Sequence, residues 1–263
     1  MELDLAGKRA LVSGSTQGIG YAIAETLLQE GATVILNGRS QNRVDAAVER
    51  LRTAVAGAGV TGIAADFADP AQVDRLLGSL GEVDILVNNV GVFDVKEFGD
   101  ITDDEWHRYF DINVMSGVQL SRRLLGRMLE VGWGRVVFVA SESGVNVPGD
   151  MIHYGVTKAA MLALGNGLAK LTRGTGVTVN TVLGGPTYSD GVAQAVTQIA
   201  DAQNMSLEDL KSAIAAGNRT SLLERFLEPR EIADLVAYLA SPRSSATNGA
   251  ALRADGGTLT AIL

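Results

Sequence analysis

The chain has 263 residues, 46% hydrophobic and 20% charged, which is the composition of a globular protein with material for a large core. A formal net charge of −8 argues against nucleic acid as a partner, because a phosphate backbone requires a clustered cationic surface. With no cysteine there is no disulfide or thiolate chemistry, and two histidines supply little for a metal, so no metal site is expected.

The first residues, Met1-Glu2-Leu3-Asp4, are acidic and lack a leader pattern, and no apolar run approaches the ~20 residues of a membrane span. No membrane association is expected, and the cytoplasm is the default location. Aliphatic and β-branched runs predict strands at Lys8–Ser13, Thr33–Asn37, Thr61–Asp66, Asp84–Asn88, Arg135–Ala140, Val177–Leu183 and Ala250–Ala254. Helical spacing fills the intervals, as in Ile19/Ile23/Leu27 and Val73/Leu76/Leu77/Leu80. Alternation of this kind means a parallel sheet covered on both faces, and the unbroken apolar runs Ile85-Leu86-Val87 and Val136–Val139 agree. No linker or repeat divides the chain, so residues 1–263 read as one doubly wound α/β domain of about seven strands. Arg122, Arg123 and Arg127 read as the solvated face of a helix. The polar, strandless segment Pro186–Pro229 follows the sixth strand and is expected to form a substrate lid over the carboxyl edge of the sheet.

Directly after the first strand, Ser13-Gly14-Ser15-Thr16-Gln17-Gly18-Ile19-Gly20 leads into a helix. Glycines there let the backbone approach a pyrophosphate closely, and the helix terminus offers it unpaired N–H groups; a tight strand-to-helix turn would look the same. The second strand ends at Asn37-Gly38-Arg39. An NAD site wants a carboxylate at that tip, whereas Arg39 can pair with a 2′-phosphate and Ser15 can add a hydrogen bond, so NADP(H) is favoured over NAD(H).

Tyr154 and Lys158 sit four residues apart at the start of a long helix, on one face, and an ammonium beside a phenol favours the phenolate. Tyr-x-x-x-Lys by itself is common. Ser141 lies thirteen residues upstream at the end of the fifth strand, so three groups converge on the carboxyl edge.

Taken together, the glycine loop, the Asn88-Asn89-Val90-Gly91 turn, Ser141 and Tyr154-x-x-x-Lys158 resemble the short-chain dehydrogenase/reductase family over about Leu5 to Gly257. The resemblance implies a Rossmann fold and a hydride transfer between nicotinamide and a small carbonyl or alcohol. It implies that Tyr154 is the general acid or base, that Lys158 lowers its pKa and holds the nicotinamide ribose, and that Ser141 orients the substrate oxygen. Asn113 would complete the proton relay. Gly14, Ser15, Gly18, Ile19, Gly20, Arg39, Asp66, Phe67, Asn88, Gly91, Gly185, Thr187 and Ser189 would contact the cofactor, with Asp66 at the adenine. Gly184 stands where the family usually has proline.

Ser143 competes with Ser141 for the hydroxyl role, but the spacing favours Ser141, which leaves Ser143 to line the pocket beside Phe93, Val145 and His153. Val92, Val147 and Met151 suggest that the pocket is partly apolar. Alternatives are a reductase of 3-oxoacyl groups on acyl carrier protein, a non-catalytic dinucleotide-sensing protein, and a lyase or epimerase. The carrier-protein reading ranks lower because two basic docking positions of the family fall on Gly132 and Thr175 here. The resemblance also implies a homotetramer built on helices near Thr102–Glu130 and Met151–Arg173.

Overall fold

Seven parallel strands form a single sheet in the order β3-β2-β1-β4-β5-β6-β7. They are β1 (Arg9–Val12), β2 (Thr33–Gly38), β3 (Val60–Ala64), β4 (Ile85–Asn88), β5 (Trp133–Ser141), β6 (Gly176–Gly184) and β7 (Ala251–Ala254). The computed structural model describes residues 2–203 and 205–262; Asn204, within the expected lid, lies outside the described residues. Each predicted strand is present, with ends shifted by at most two residues.

Strand order reverses between β1 and β4, and at such a switch point the loops on either side diverge and open a crevice at the carboxyl edge. One face of the sheet carries α1 (Gly18–Gln29), α2 (Gln41–Ala54) and α9 (Pro229–Ala240), where Ile23, Leu27, Val44, Leu51, Ile232 and Val236 are fully buried. The other carries α3 (Pro70–Ser79), α5 (Ser116–Val131) and α6 (Ile152–Ala169), which pack Leu76, Leu120, Leu124 and Met161 around Phe138. With both faces covered, the strands can stay apolar throughout, and burying side chains of this size contributes roughly 1.5–3 kcal/mol each.

Register sets the site. β5 and β6 pair from Trp133↔Gly176 to Ser141↔Gly184, which carries Ser141 to the carboxyl edge. α4 (Asp103–Phe110) opens with a capping box between Thr102 and Glu105 and runs into a π-turn at Asp111–Met115 before α5. Asn113, expected on a helix, therefore sits in a widened turn of the kind that recurs at functional sites.

Two cations have structural roles that periodicity did not reveal. Arg135 is 2% exposed and donates to the carbonyls of Ser241, Gly134 and Gly176. Arg123 caps the end of α3 through the carbonyls of Leu77 and Leu80, so only part of the basic group simply faces solvent.

Residues 186–229 hold α7 (Asp190–Gln203) and α8 (Leu207–Gly217), joined by a small cluster of Val196, Ala200 and Leu210. The segment leaves and returns at one neck: Leu227 N–H donates to Pro186 and Tyr188 N–H to Leu227. Among the described residues no helix is long and apolar enough to cross a membrane.

Candidate active site

A cleft of about 680 Å³ follows the carboxyl edge from β2 to α6, lined by Gly14, Gly18, Ile19, Gly20, Arg39, Asp66, Phe67, Gly91, Phe93, Tyr154, Lys158 and Ser189 among others. Its floor is the glycine loop. Gly14 has φ +62, and a Cβ there would come within 2.9 Å of the Val90 backbone, so the loop can take no side chain at that point. Asn89 donates from its amide to the carbonyls of Ser13 and Gly14, which locks the loop after β1 to the loop after β4. Gln17, the residue before α1, makes no side-chain cap, and the first N–H of that helix, at Gly18, donates to the Asp190 carboxylate instead.

Ser15 is placed differently from expectation. It is fully buried, donates to Val12 O at 2.7 Å and accepts from Asn37 N–H at 3.0 Å. Its hydroxyl ties the loop to β2 and is turned away from the cleft; Thr16 lines the wall instead. Asn37 acts in the same way, holding Gly14, Ile63 and Ala65 with one side chain.

At the β2 end Arg39 is exposed and lines the cleft together with Arg43 from the first turn of α2. Neither forms an ion pair among the described residues. Arg43 was missed from sequence, although its spacing of four from Arg39 could have marked it. A Cβ at Gly38 would stand 2.5 Å from the Thr16 methyl, so steric fit as well as charge keeps this position bare.

Several expected contacts lie off the cleft wall. Asn88 is 3% exposed and donates to Ser121 beneath the sheet edge; its carbonyl oxygen has no partner. Phe67 touches the cleft but is mostly core, and Asp66 also caps its own turn by accepting from Ala68 N–H. Gly185 is wedged against Asp255, whose carbonyl would be 2.6 Å from a Cβ, and Thr187 donates back to Gly185 O. These two shape the neck of the 186–229 segment, while Ser189 reaches the wall.

At the other end Tyr154 is half-buried, with Phe93 edge-on to its ring at 6.2 Å between centroids. Lys158 is buried and donates to Val139 O at 3.0 Å, and Gly91 lies against its ammonium. Asn113 accepts from Val92 N–H at 2.8 Å and donates to Val92 O and to Thr157 Oγ1, tying the turn after β4 to α6.

Burial pushes the Tyr154 phenol up to about 12; the neighbouring Ser141 hydroxyl draws it down and Glu142 pushes it up further. Burial pulls Lys158 down to about 8, against the opposing pull of Glu142. Lys158 is not among the groups that move the phenol in the cofactor-free chain. Desolvation dominates both groups, and Tyr154 holds its proton at neutral pH.

Ser141 Oγ accepts from Ser143 N–H at 3.1 Å and donates to Glu142 Oε2. Ser143 is 5% exposed and donates to Glu142 Oε1 at 3.1 Å, so it supports the carboxylate instead of lining an open pocket. Val145, 49% exposed, is not among the residues that line the cleft either. His153 is corrected too: it is 1% exposed, its ring lies 4.0 Å from that of Tyr109, and burial lowers its pKa. It packs α6 against α4 and does not line the cleft. Glu142 was missed, because a residue beside a strand-end serine carries no periodic signal.

A switch-point cleft with a glycine-loop floor and a Tyr–Lys–Ser cluster at one end defines a dinucleotide-type α/β oxidoreductase. The family model for short chain dehydrogenase matches residues 8–200. The chain belongs to that family. It is 45% identical over 263 residues to YvaG of Bacillus subtilis (strain 168), described as an uncharacterized oxidoreductase, with all of both chains covered. It is 32% identical over 259 residues to the 3-oxoacyl-[acyl-carrier-protein] reductase FabG of Escherichia coli (strain K12), covering 97% of this chain and 98% of FabG. L-Sorbose reductase of Gluconobacter frateurii, solved with NADPH and L-sorbose, superposes with a TM-score of 0.93 at 30% identity over 100% of both chains.

Proposed function

We propose that this protein is an NADP(H)-dependent oxidoreductase that moves a hydride between the nicotinamide and a small, polar carbonyl or alcohol. The observation that carries the reading is the continuity of one cleft, with two unpaired arginines at one end and Tyr154 and Lys158 at the other.

The residues fit the group. Gly18 N–H already holds an anion, the Asp190 carboxylate at 2.5 Å, so the α1 terminus is able to receive a diphosphate. Arg39 and Arg43 would flank a 2′-phosphate, Asp66 would meet the adenine, and Lys158 with Gly91 would border the nicotinamide ribose. When bound, the dinucleotide supplies the hydride. In reduction Tyr154, protonated at neutral pH, delivers its proton to the carbonyl oxygen; in oxidation it must first lose that proton. Ser141 orients the same oxygen. Asn113 fixes the turn at Val92 against α6, so its contribution is positional. Residues 186–229 act as the lid over the substrate end.

Reduction of an acyl chain on carrier protein is the reading that FabG suggests. Gly132, at the end of α5, has φ +77, a conformation that suits glycine and disfavours arginine, and both Gly132 and Thr175 are exposed without offering a cation. A negative net charge further disfavours an acidic carrier. The polar hydroxyl-and-carboxylate cluster at Ser141, Glu142 and Ser143 suits a small hydroxylated substrate such as the one the sorbose reductase binds.

Steady-state assays of small ketones with NADPH and with NADH test the proposal. Turnover with NADPH favoured supports it; tight NADPH binding without turnover of any carbonyl supports a sensor.

A further inference from the structure

Beside the catalytic end of the cleft, next to Ser141, stands a carboxylate to which the chemistry above gives no step. Glu142 is partly buried and makes no ion pair among the described residues. Its only partners are two hydroxyls: Oε2 takes the proton of Ser141, and Oε1 that of Ser143 at 3.1 Å. The carboxylate is only partly removed from water. It competes with the substrate, since a serine hydroxyl has one proton to give and Ser141 gives it to Glu142.

A carboxylate offers roughly four acceptor sites, and the two serines fill only half of them. Glu142 stands one side chain away from the Tyr154 phenol, because Ser141 Oγ stands beside both.

We propose that Glu142 is a substrate-recognition residue that accepts a hydrogen bond from a hydroxyl on the carbon next to the reacting carbonyl. The substrates are then α-hydroxy carbonyl compounds and, in the reverse direction, vicinal diols. A hydroxyl suits the place better than an ammonium, because Lys158 already lies in the field of Glu142 and a second cation would face it. The inference rests on the oxidoreductase reading and goes further by naming the substrate class.

Hydroxyacetone and 2-butanone differ only by a hydroxyl in place of a methyl, and aminoacetone puts an ammonium there. The NADPH-loaded enzyme should reduce hydroxyacetone with at least about ten-fold higher kcat/KM than 2-butanone, as expected of a site built to bind a hydroxyl. Glu142→Gln, which keeps the shape, and Glu142→Ala should both erode that ratio about ten-fold and leave NADPH affinity unchanged. A fold defect would slow both ketones alike and leave the ratio intact. An unchanged ratio in both variants overturns the proposal, and a preference for aminoacetone that Glu142→Gln abolishes overturns it in favour of a cation. If wild type binds NADPH and reduces none of the three, the reductase reading fails, and the inference with it.

Discussion

Gly18 N–H donates to the Asp190 carboxylate at 2.5 Å, joining the glycine loop to the first turn of α7 across 172 positions of sequence. Asp190 thus occupies the helix terminus where a diphosphate would lie, held by the same N–H groups and partial positive charge. Carboxylate and diphosphate compete for that place. Asp190→Asn should therefore tighten NADPH binding about three- to ten-fold, the range of a helix-terminus charge contact. Titration by cofactor fluorescence reads the change; equal or weaker affinity would mean that Asp190 withdraws without cost.

With Tyr154 near 12, the proton donor for reduction is intact throughout the neutral range, whereas oxidation needs a phenolate that burial and Glu142 disfavour. Rates of ketone reduction should owe no loss to Tyr154 between about pH 6 and 10, while alcohol oxidation climbs over the same interval. Tyr154→Phe should cost about 10²–10⁴-fold in turnover with little change in cofactor affinity. Activity within a few-fold of wild type would remove Tyr154 from the chemistry.

Lys158 loses its proton near 8 in the folded protein against 10.5 when free, so between those values the unfolded chain holds more protons. Stability of the cofactor-free protein should rise with pH across that window, and the full penalty of burying the ammonium applies below it. Lys158→Met should remove the penalty, raising Tm at pH 7 by a few degrees, on the order of 2–4 °C per kcal/mol for a chain of this size, while abolishing turnover. A lower Tm would show that the bond to Val139 O outweighs desolvation.

Cofactor choice divides between charge and space. Arg39→Ala together with Arg43→Ala should remove most of the proposed NADPH preference, since each charge-assisted contact contributes roughly 1.5–3 kcal/mol. Gly38→Asp alone meets the Thr16 methyl, so reversal toward NADH should need Thr16→Gly beside it. The ratio of kcat/KM for the two cofactors decides; an NADH preference in the unmutated protein would place Arg39 and Arg43 in solvent.

Elements that depend on local pattern were legible from residues alone. Seven runs of aliphatic and β-branched residues became seven strands because a strand buried on both faces has only one pattern to show. Tyr154 and Lys158 share a face through helical spacing, and the glycine loop is contiguous. The tertiary structure decided what depends on long-range neighbours. Ser15 could have faced a phosphate, but β2 lies close enough for Asn37 to claim its hydroxyl. His153 sits next to Tyr154 in sequence, yet one step along a helix turns a side chain by about 100°, which drove it into Tyr109. Burial is the largest influence on Tyr154, because desolvation is set by everything packed around a group. Asp190 reached the glycine loop only once the strands' carboxyl ends had drawn separate loops together. Sequence therefore determined the fold class and the proposed reacting groups, and packing determined which polar side chains stand beside them.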